Sequence, residues 1–113
     1  MFQWPKRGEA ADGEKAAFRG VGELKGQVAV ISGSTSGIGL ALARAVAARG
    51  GDVVLNGLGD PSEIERIRAE MEAANGVRVR YHGADMRKGD EVADMVAFAK
   101  HDLGRLDILV NNA

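Results

Sequence analysis

The sequence contains no cysteine among its 113 residues, so neither a disulfide framework nor a thiolate metal site is open to it. It also lacks a surplus of either charge. Fifteen basic and sixteen acidic side chains give a formal net charge of -1, and the arginines are scattered, which removes support for a nucleic-acid partner. No apolar run approaches the ~20 residues of a membrane-spanning helix, and the opening segment has no apolar core of a secretory signal. A cytoplasmic location with no membrane partner is therefore expected. The two histidines, His82 and His101, have no second histidine or carboxylate at ligand spacing, so no metal site is expected and both are read as solvated.

What is present suits one α/β domain or a piece of a larger one. Residues 1–23 mix Lys6, Arg7, Glu9, Asp12, Glu14, Lys15 and Arg19 with small residues and are read as a disordered extension, with Trp4 and Phe18 as weak docking points. Order begins at Leu24. Gln27 to Ser32 is short, continuous and rich in valine and isoleucine, the pattern of a fully buried strand. Leu40 to Arg49 reads as a helix on Ile38, Leu42, Ala45, Val46 and Arg49, closed by Gly50-Gly51. Asp52 to Asn56 is a second strand. Asp60-Pro61-Ser62-Glu63 then combines a cap, a proline at the first helical position and an acid at the third, opening a helix to about Asn75 on Ile64, Ile67, Met71 and Ala74. Val77 to His82 alternates apolar and polar, as a strand near a sheet edge does. Asp90 to Leu103 is a third helix ended by Gly104, and Leu106 to Val110 a fourth strand.

Alternating strands and helices with short connections predict a doubly wound parallel sheet. In the usual strand order the first and fourth strands are neighbours at the switch point, where ligands bind beyond the carboxyl ends. The segment Gly33-Ser34-Thr35-Ser36-Gly37-Ile38-Gly39 follows strand one, and Asn111-Asn112 follows strand four, so both should face one crevice. The glycine segment falls where a buried strand reverses into a helix and exposes free N–H groups, which makes it a phosphate-binding turn and the chain a holder of a dinucleotide. Gly33 would permit the reversal, Gly37 the approach of a pyrophosphate, and Gly39 close packing of the helix on the sheet. Ser34, Thr35 and Ser36 offer hydroxyls beside those amides. A nucleophile elbow would need serine where this chain has Thr35, and no lysine follows to make a P-loop.

Together, Gly33-x-x-x-Gly37-Ile38-Gly39, Asp85 and Asn111-Asn112-Ala113 resemble the short-chain dehydrogenase/reductase family over Leu24 to Ala113. Within it, Leu55-Asn56-Gly57-Leu58-Gly59-Asp60 and the glycine turn are similar to the bacterial D-3-hydroxybutyrate dehydrogenase subfamily. The chain departs from the pattern at Ser32, where threonine is usual, at Leu58, where an aromatic is common, and at Arg87, where a helix-capping Ser or Thr is common.

The resemblance implies a Rossmann-type sheet truncated after its fourth strand, residues 24–113 forming the N-terminal half of an NAD-binding domain. Asp85 would accept from the adenine amino group with Met86 packed nearby, the alternative being a turn aspartate that caps the next helix. Asn112 would contact the cofactor ribose, Asn111 would tie strands together, and Ala113 would complete the motif at the cofactor. After strand two, Asn56, Gly57 and Leu58 include no cation, and Ser36 precedes Gly37 where phosphate-selecting relatives often carry a basic residue, so NAD is favoured over NADP. Asn56 and Leu58 are left to line the adenosine pocket. Asp60 could hold the ribose, but its place before Pro61 favours a helix cap.

The family's reaction is hydride transfer between nicotinamide and a carbonyl carbon, assisted by a serine, a tyrosine and a lysine that lie beyond Ala113 in its members. Tyr81 is not that tyrosine, because the residue four positions on is Asp85 and not lysine. The expectation is the cofactor-binding half of an oxidoreductase of a small hydroxy acid or ketone, inactive alone, and part of a homotetramer at full length. The alternatives are another short-chain reductase, such as a 3-oxoacyl carrier-protein reductase, and a non-catalytic nucleotide-binding module.

Overall fold

The computed structural model describes residues 23–112; the extension at 1–22, with Trp4 and Phe18, and the motif residue Ala113 lie outside the described residues. The elements run β1 (Val28–Ile31), α1 (Gly37–Ala48), β2 (Asp52–Leu55), α2 (Pro61–Asn75), β3 (Val79–Tyr81), α3 (Gly89–Leu103) and β4 (Ile108–Val110). The four strands form one parallel sheet in the order β3-β2-β1-β4, with Ile31 opposite Leu55 on one side and Val110 on the other. This is the expected doubly wound arrangement.

The reason β1 and β2 read as continuous apolar runs is that both of their faces are covered. Ala29, Ile31, Val53, Leu55 and Val79 pack against Ala43 and Ala47 of α1 and Ile67 and Met71 of α2. Val28, Val30 and Val54 point to the opposite face, against Met95, Ala99 and Leu103 of α3. The four side chains of β1 are all 0% exposed. Burying a valine or isoleucine to that degree stabilises the fold by about 1.5–3 kcal/mol each. Because α1 and α2 lie on one face and α3 on the other, the connection reverses between β1 and β4, and a crevice opens at their carboxyl ends.

The helix after the glycine turn differs from the sequence reading. It starts at Gly37, three residues before Leu40, and its buried residues are Gly39, Ala43 and Ala47. Ile38, expected to mark the apolar face, is 76% exposed. Small side chains at every fourth position let the helix axis approach the sheet closely, while Leu42, Ala45 and Val46 turn sideways to line an apolar groove with Leu24, Ile108 and Val110. Asp60 is the residue before α2 as expected, but its carboxylate accepts from the Ser62 hydroxyl at 2.6 Å and makes no side-chain bond to the helix backbone. Gly76 and Gly104 end α2 and α3 in the left-handed region.

The β3 edge of the sheet carries a polar device. Beside β3, Arg80 bonds Glu72 and Asp102, each at 2.7 Å, which places charge where an unpaired edge would otherwise invite another strand. At the start of β4, Asp107 accepts from Val28 N at 2.8 Å while its own amide donates to Val28 O at 2.9 Å, so the strand is pinned to β1 from its first residue.

Candidate functional site

The glycine turn is built from inside. Ser34 is fully buried, and its hydroxyl donates to Ile31 O at 2.7 Å, closing the reversal after β1. Gly33 and Gly37 adopt φ of 61° and 58°, a region an L side chain enters at about 1–2 kcal/mol. A Cβ on Gly37 would meet nothing within 4 Å, so the space over its backbone is open. A Cβ on Gly39 would lie 2.1 Å from Gly33 O and 2.6 Å from Asn112 Nδ2. The third glycine therefore packs the helix start against the turn itself and the segment after β4, closer than the sheet contact read from the sequence. Ser36 precedes α1 without a side-chain cap bond, leaving the first amides of the helix directed outward as an anion site.

Three loops meet at Asn56, which is 2% exposed. Its side-chain amide donates to His82 O at 2.9 Å and to Ala84 O at 3.0 Å, while Oδ1 faces Gly33 N at 3.4 Å. Its backbone accepts from Ser34 N at 2.6 Å and donates to Ser34 Oγ at 3.0 Å. The segments after β1, β2 and β3 are thereby fixed to one another. Ser34 and Asn56, expected as ligand contacts, thus have their side chains engaged within the fold, and they shape the cleft more than they reach into it. The loop beyond is pinned in turn: Thr35 Oγ1 donates to Leu58 O at 2.8 Å and Tyr81 Oη to Gly57 O at 2.5 Å. Leu58 is left 91% exposed.

The second motif reaches the first by direct bonds. Asn112 Nδ2 donates to Gly33 O at 3.2 Å, and Asn112 N to Ser32 Oγ at 2.9 Å. Asn111 Oδ1 lies 3.3 Å from Ser32 Oγ, a tie between strand ends. Ser32, which stands where a threonine is usual, supplies the hydroxyl for both.

A cleft of about 570 Å³ results, within the range of small-molecule sites. Gly33, Thr35, Ser36, Asn56, Leu58, Asp85 and Met86 line it, all named from the sequence, and Gly57, Gly83, Ala84 and Arg87 join them. Ser34, Gly37, Ile38, Gly39 and Asn112 lie behind or beside it. Asp85 and Arg87 are the charged members of the lining. Asp85 Oδ1 accepts from Arg87 Nε at 3.0 Å and from Arg87 N at 2.9 Å, and Oδ2 accepts from Nη2 at 2.9 Å. The guanidinium hydrogen bonds, with the bond from Arg87 N, bring the Asp85 carboxyl down from 3.8 to about 2. Asp85 lines the cleft and closes the turn before α3, but the residue preceding that helix is Lys88 and the helix carries no side-chain cap, so the capping alternative does not hold. The signal for Arg87 lay in its departure from a capping residue, which left its own role open.

His82 departs from the solvated reading. Its Nε2 lies 2.9 Å from Asp94 Oδ2, its Nδ1 accepts from Ala84 N at 3.2 Å, and its ring centroid is 5.3 Å from that of Phe98. The carboxylate comes from α3, a turn of helix that no local spacing announces. Among the described residues no group of three or more potential metal ligands occurs, and no helix is long and apolar enough to cross a membrane.

Known proteins share this arrangement. The family model described as short chain dehydrogenase matches residues 27–113. The chain is 50% identical over 91 residues to the D-beta-hydroxybutyrate dehydrogenase of Cupriavidus necator, a match covering 80% of this chain and 34% of that protein. It is 51% identical over 87 residues to the protein of the same name from Rhizobium meliloti, covering 77% and 34%. Among solved structures, L-sorbose reductase from Gluconobacter frateurii, complexed with NADPH and L-sorbose, superimposes with a TM-score of 0.74 at 35% identity, covering 82% of this chain and 35% of that one. The chain spans about a third of the length of the curated relatives it matches.

Proposed function

The chain belongs to the short-chain dehydrogenase family, and from that membership we propose that it is the NAD-holding half of an oxidoreductase that converts D-3-hydroxybutyrate to acetoacetate. The observation that supports a dinucleotide site is the bond from Asn112 Nδ2 to Gly33 O, which joins the turn after β1 to the segment after β4 at the switch point, and the substrate rests on the 50% identity to the Cupriavidus necator D-beta-hydroxybutyrate dehydrogenase. Open space over Gly37 and the uncapped first turn of α1 suit a pyrophosphate. When bound, the nicotinamide supplies hydride chemistry at its C4.

The chain's own residues bind and orient. The amides of the glycine turn and the N-terminus of α1 hold the negative pyrophosphate, with the hydroxyls of Thr35 and Ser36 beside them. Asp85 accepts from the exocyclic amine of adenine, Leu58 and Met86 offer apolar surface to the adenosine, and Asn112 meets the ribose. NAD is preferred because the loop after β2 brings no cation to the 2′ position. The first arginine beyond it, Arg66, is held by Glu63 and Glu70 on α2. Tyr81 holds no reacting proton, since its phenol donates to Gly57 O. The tyrosine that exchanges the proton, the lysine that lowers its pKa and the serine that positions the substrate oxygen belong to the remainder of a full-length protein, a homotetramer in the cytoplasm with neither nucleic acid nor membrane as partner.

Calorimetric titration tests the cofactor, with NAD expected to bind more tightly than NADP; equal affinities overturn the preference. The 113-residue chain should form no NADH from D-3-hydroxybutyrate, whereas the same reading frame extended to full length should. An extended protein that ignores 3-hydroxybutyrate and reduces another carbonyl with NADPH would replace the substrate assignment and leave the cleft in place.

A further inference from the structure

Among the described residues, the Arg87 side chain pairs with one group, the Asp85 carboxylate that lines the cleft. The backbone around that pair is fixed: Asp85 N donates to Glu91 Oε1 at 3.0 Å and Lys88 N to Asp85 O at 3.0 Å. The Arg87 side chain itself is 89% exposed and free to leave its partner. Three of the roughly four acceptor sites of a carboxylate are taken by Arg87, one by its amide and two by its guanidinium. A donor thus stands beside the acceptor at the same wall of the cleft. Set opposite the 6-substituent, an acceptor alone favours a 6-aminopurine, because the amino group donates to it and a 6-oxo group is repelled. An acceptor with a competing donor reads either base.

We propose that Arg87 sets the base selectivity of this cleft: it competes with a 6-amino group for Asp85 and offers its guanidinium to a 6-oxo group, so that hypoxanthine dinucleotides are admitted alongside adenine ones. The inference rests on the placement of the purine against Asp85 in the proposed function. Its size follows from the exposure of the pair. An ion pair in solvent shifts an equilibrium by about 1.5- to 5-fold, so the latch opens readily and its effect lies in the ratio of two ligands.

The test is calorimetric binding of NAD and of nicotinamide hypoxanthine dinucleotide to the full chain, to Arg87→Ala and to Asp85→Asn. Arg87→Ala should widen the preference for NAD about threefold or more, by tightening NAD, weakening the hypoxanthine analogue, or both. Its thermal midpoint should fall by no more than the few degrees that a solvent-exposed ion pair contributes. Asp85→Asn should narrow the preference. An unchanged ratio in Arg87→Ala with a changed ratio in Asp85→Asn overturns the role of Arg87 and leaves the purine against Asp85. An unchanged ratio in both, or a chain that binds neither nucleotide, overturns the placement of the purine and the inference with it.

Discussion

Replacing Asn56 by alanine removes a side chain that joins the loops after β1, β2 and β3. Two good hydrogen bonds disappear, to His82 O and Ala84 O, and a longer one from Gly33 N. Each made bond contributes about 1 kcal/mol net, and a buried carbonyl left without a donor costs about 1–3 kcal/mol. Ala84 is buried, so water reaches its carbonyl poorly. The expected loss is about 2–4 kcal/mol, a large part of the ~5–15 kcal/mol that holds a domain together. At about 4–8 °C per kcal/mol for a domain of this size, the thermal midpoint should fall by roughly 8–32 °C, read by circular dichroism alongside urea unfolding. Asn56→Asp sharpens the test. It keeps an acceptor near Gly33 N and turns Nδ2, the donor of both bonds, into one oxygen facing two carbonyls, so the acid must stay protonated to make either bond. Its folded pKa is then raised, the folded state binds more protons than the unfolded one, and stability should fall as pH rises. A stability within about 0.5 kcal/mol of the parent for Asn56→Ala, the range of ordinary surface changes, would refute the account of the three-loop junction.

Gly39→Ala should destabilise the fold by about 3 kcal/mol, because its methyl meets the Gly33 backbone at 2.1 Å, whereas Gly37→Val should abolish dinucleotide binding by filling the open space over its backbone; urea unfolding and calorimetry separate the two effects. Leu58→Arg should shift preference from NAD toward NADP by about tenfold, since a 2′-phosphate gains a charge-assisted partner at an exposed cleft position, and paired titrations check it. Asp85, held at about 2 by Arg87, is ionised in the fold above that value, so its contribution is fully present above its ordinary 3.8 and is lost as pH falls through about 2. Arg87→Ala should return the titration toward 3.8, as followed by carboxyl carbon NMR.

Much of the fold was legible because its signals are local. Val28 to Ile31 carries no polar residue, and a run of that kind survives only between two covered faces. The apolar faces of α2 and α3 followed from spacing, with Ile64, Ile67 and Met71, then Met95, Ala99 and Leu103, buried as their periodicity requires, while Ala74, expected on the same face of α2, is exposed in its last turn. The start of α1 was not legible. A glycine-rich segment has low helix propensity, so the pattern was placed at Leu40, yet tertiary contact decides the matter: Gly39 must lie against Gly33 O, and only the helical path brings it there. The same contact explains Ile38. A hydrophobic residue at the mouth of a cleft follows no burial rule, and its exposure reflects the direction in which α1 leaves the turn.

The site was legible where a motif fixes backbone and illegible where partners come from elsewhere in the chain. Gly33 and Asn112 could be brought together because each ends a strand and the strand order makes those ends neighbours, which the bond from Asn112 Nδ2 to Gly33 O expresses. Asn56 looked like a lining residue because it follows a strand at the ligand side. Its burial arises from carbonyls at His82 and Ala84, more than twenty residues on, that need donors. His82 looked free for the same reason, as Asp94 reaches it only across α3. Arg87 is the instructive case, because the pairing with Asp85 is two residues long and could have been drawn from the sequence. A capping residue at that position would donate one hydroxyl; the guanidinium donates two bonds to the same carboxylate beside the one from its amide, and the cleft gains a paired charge where a neutral cap is common.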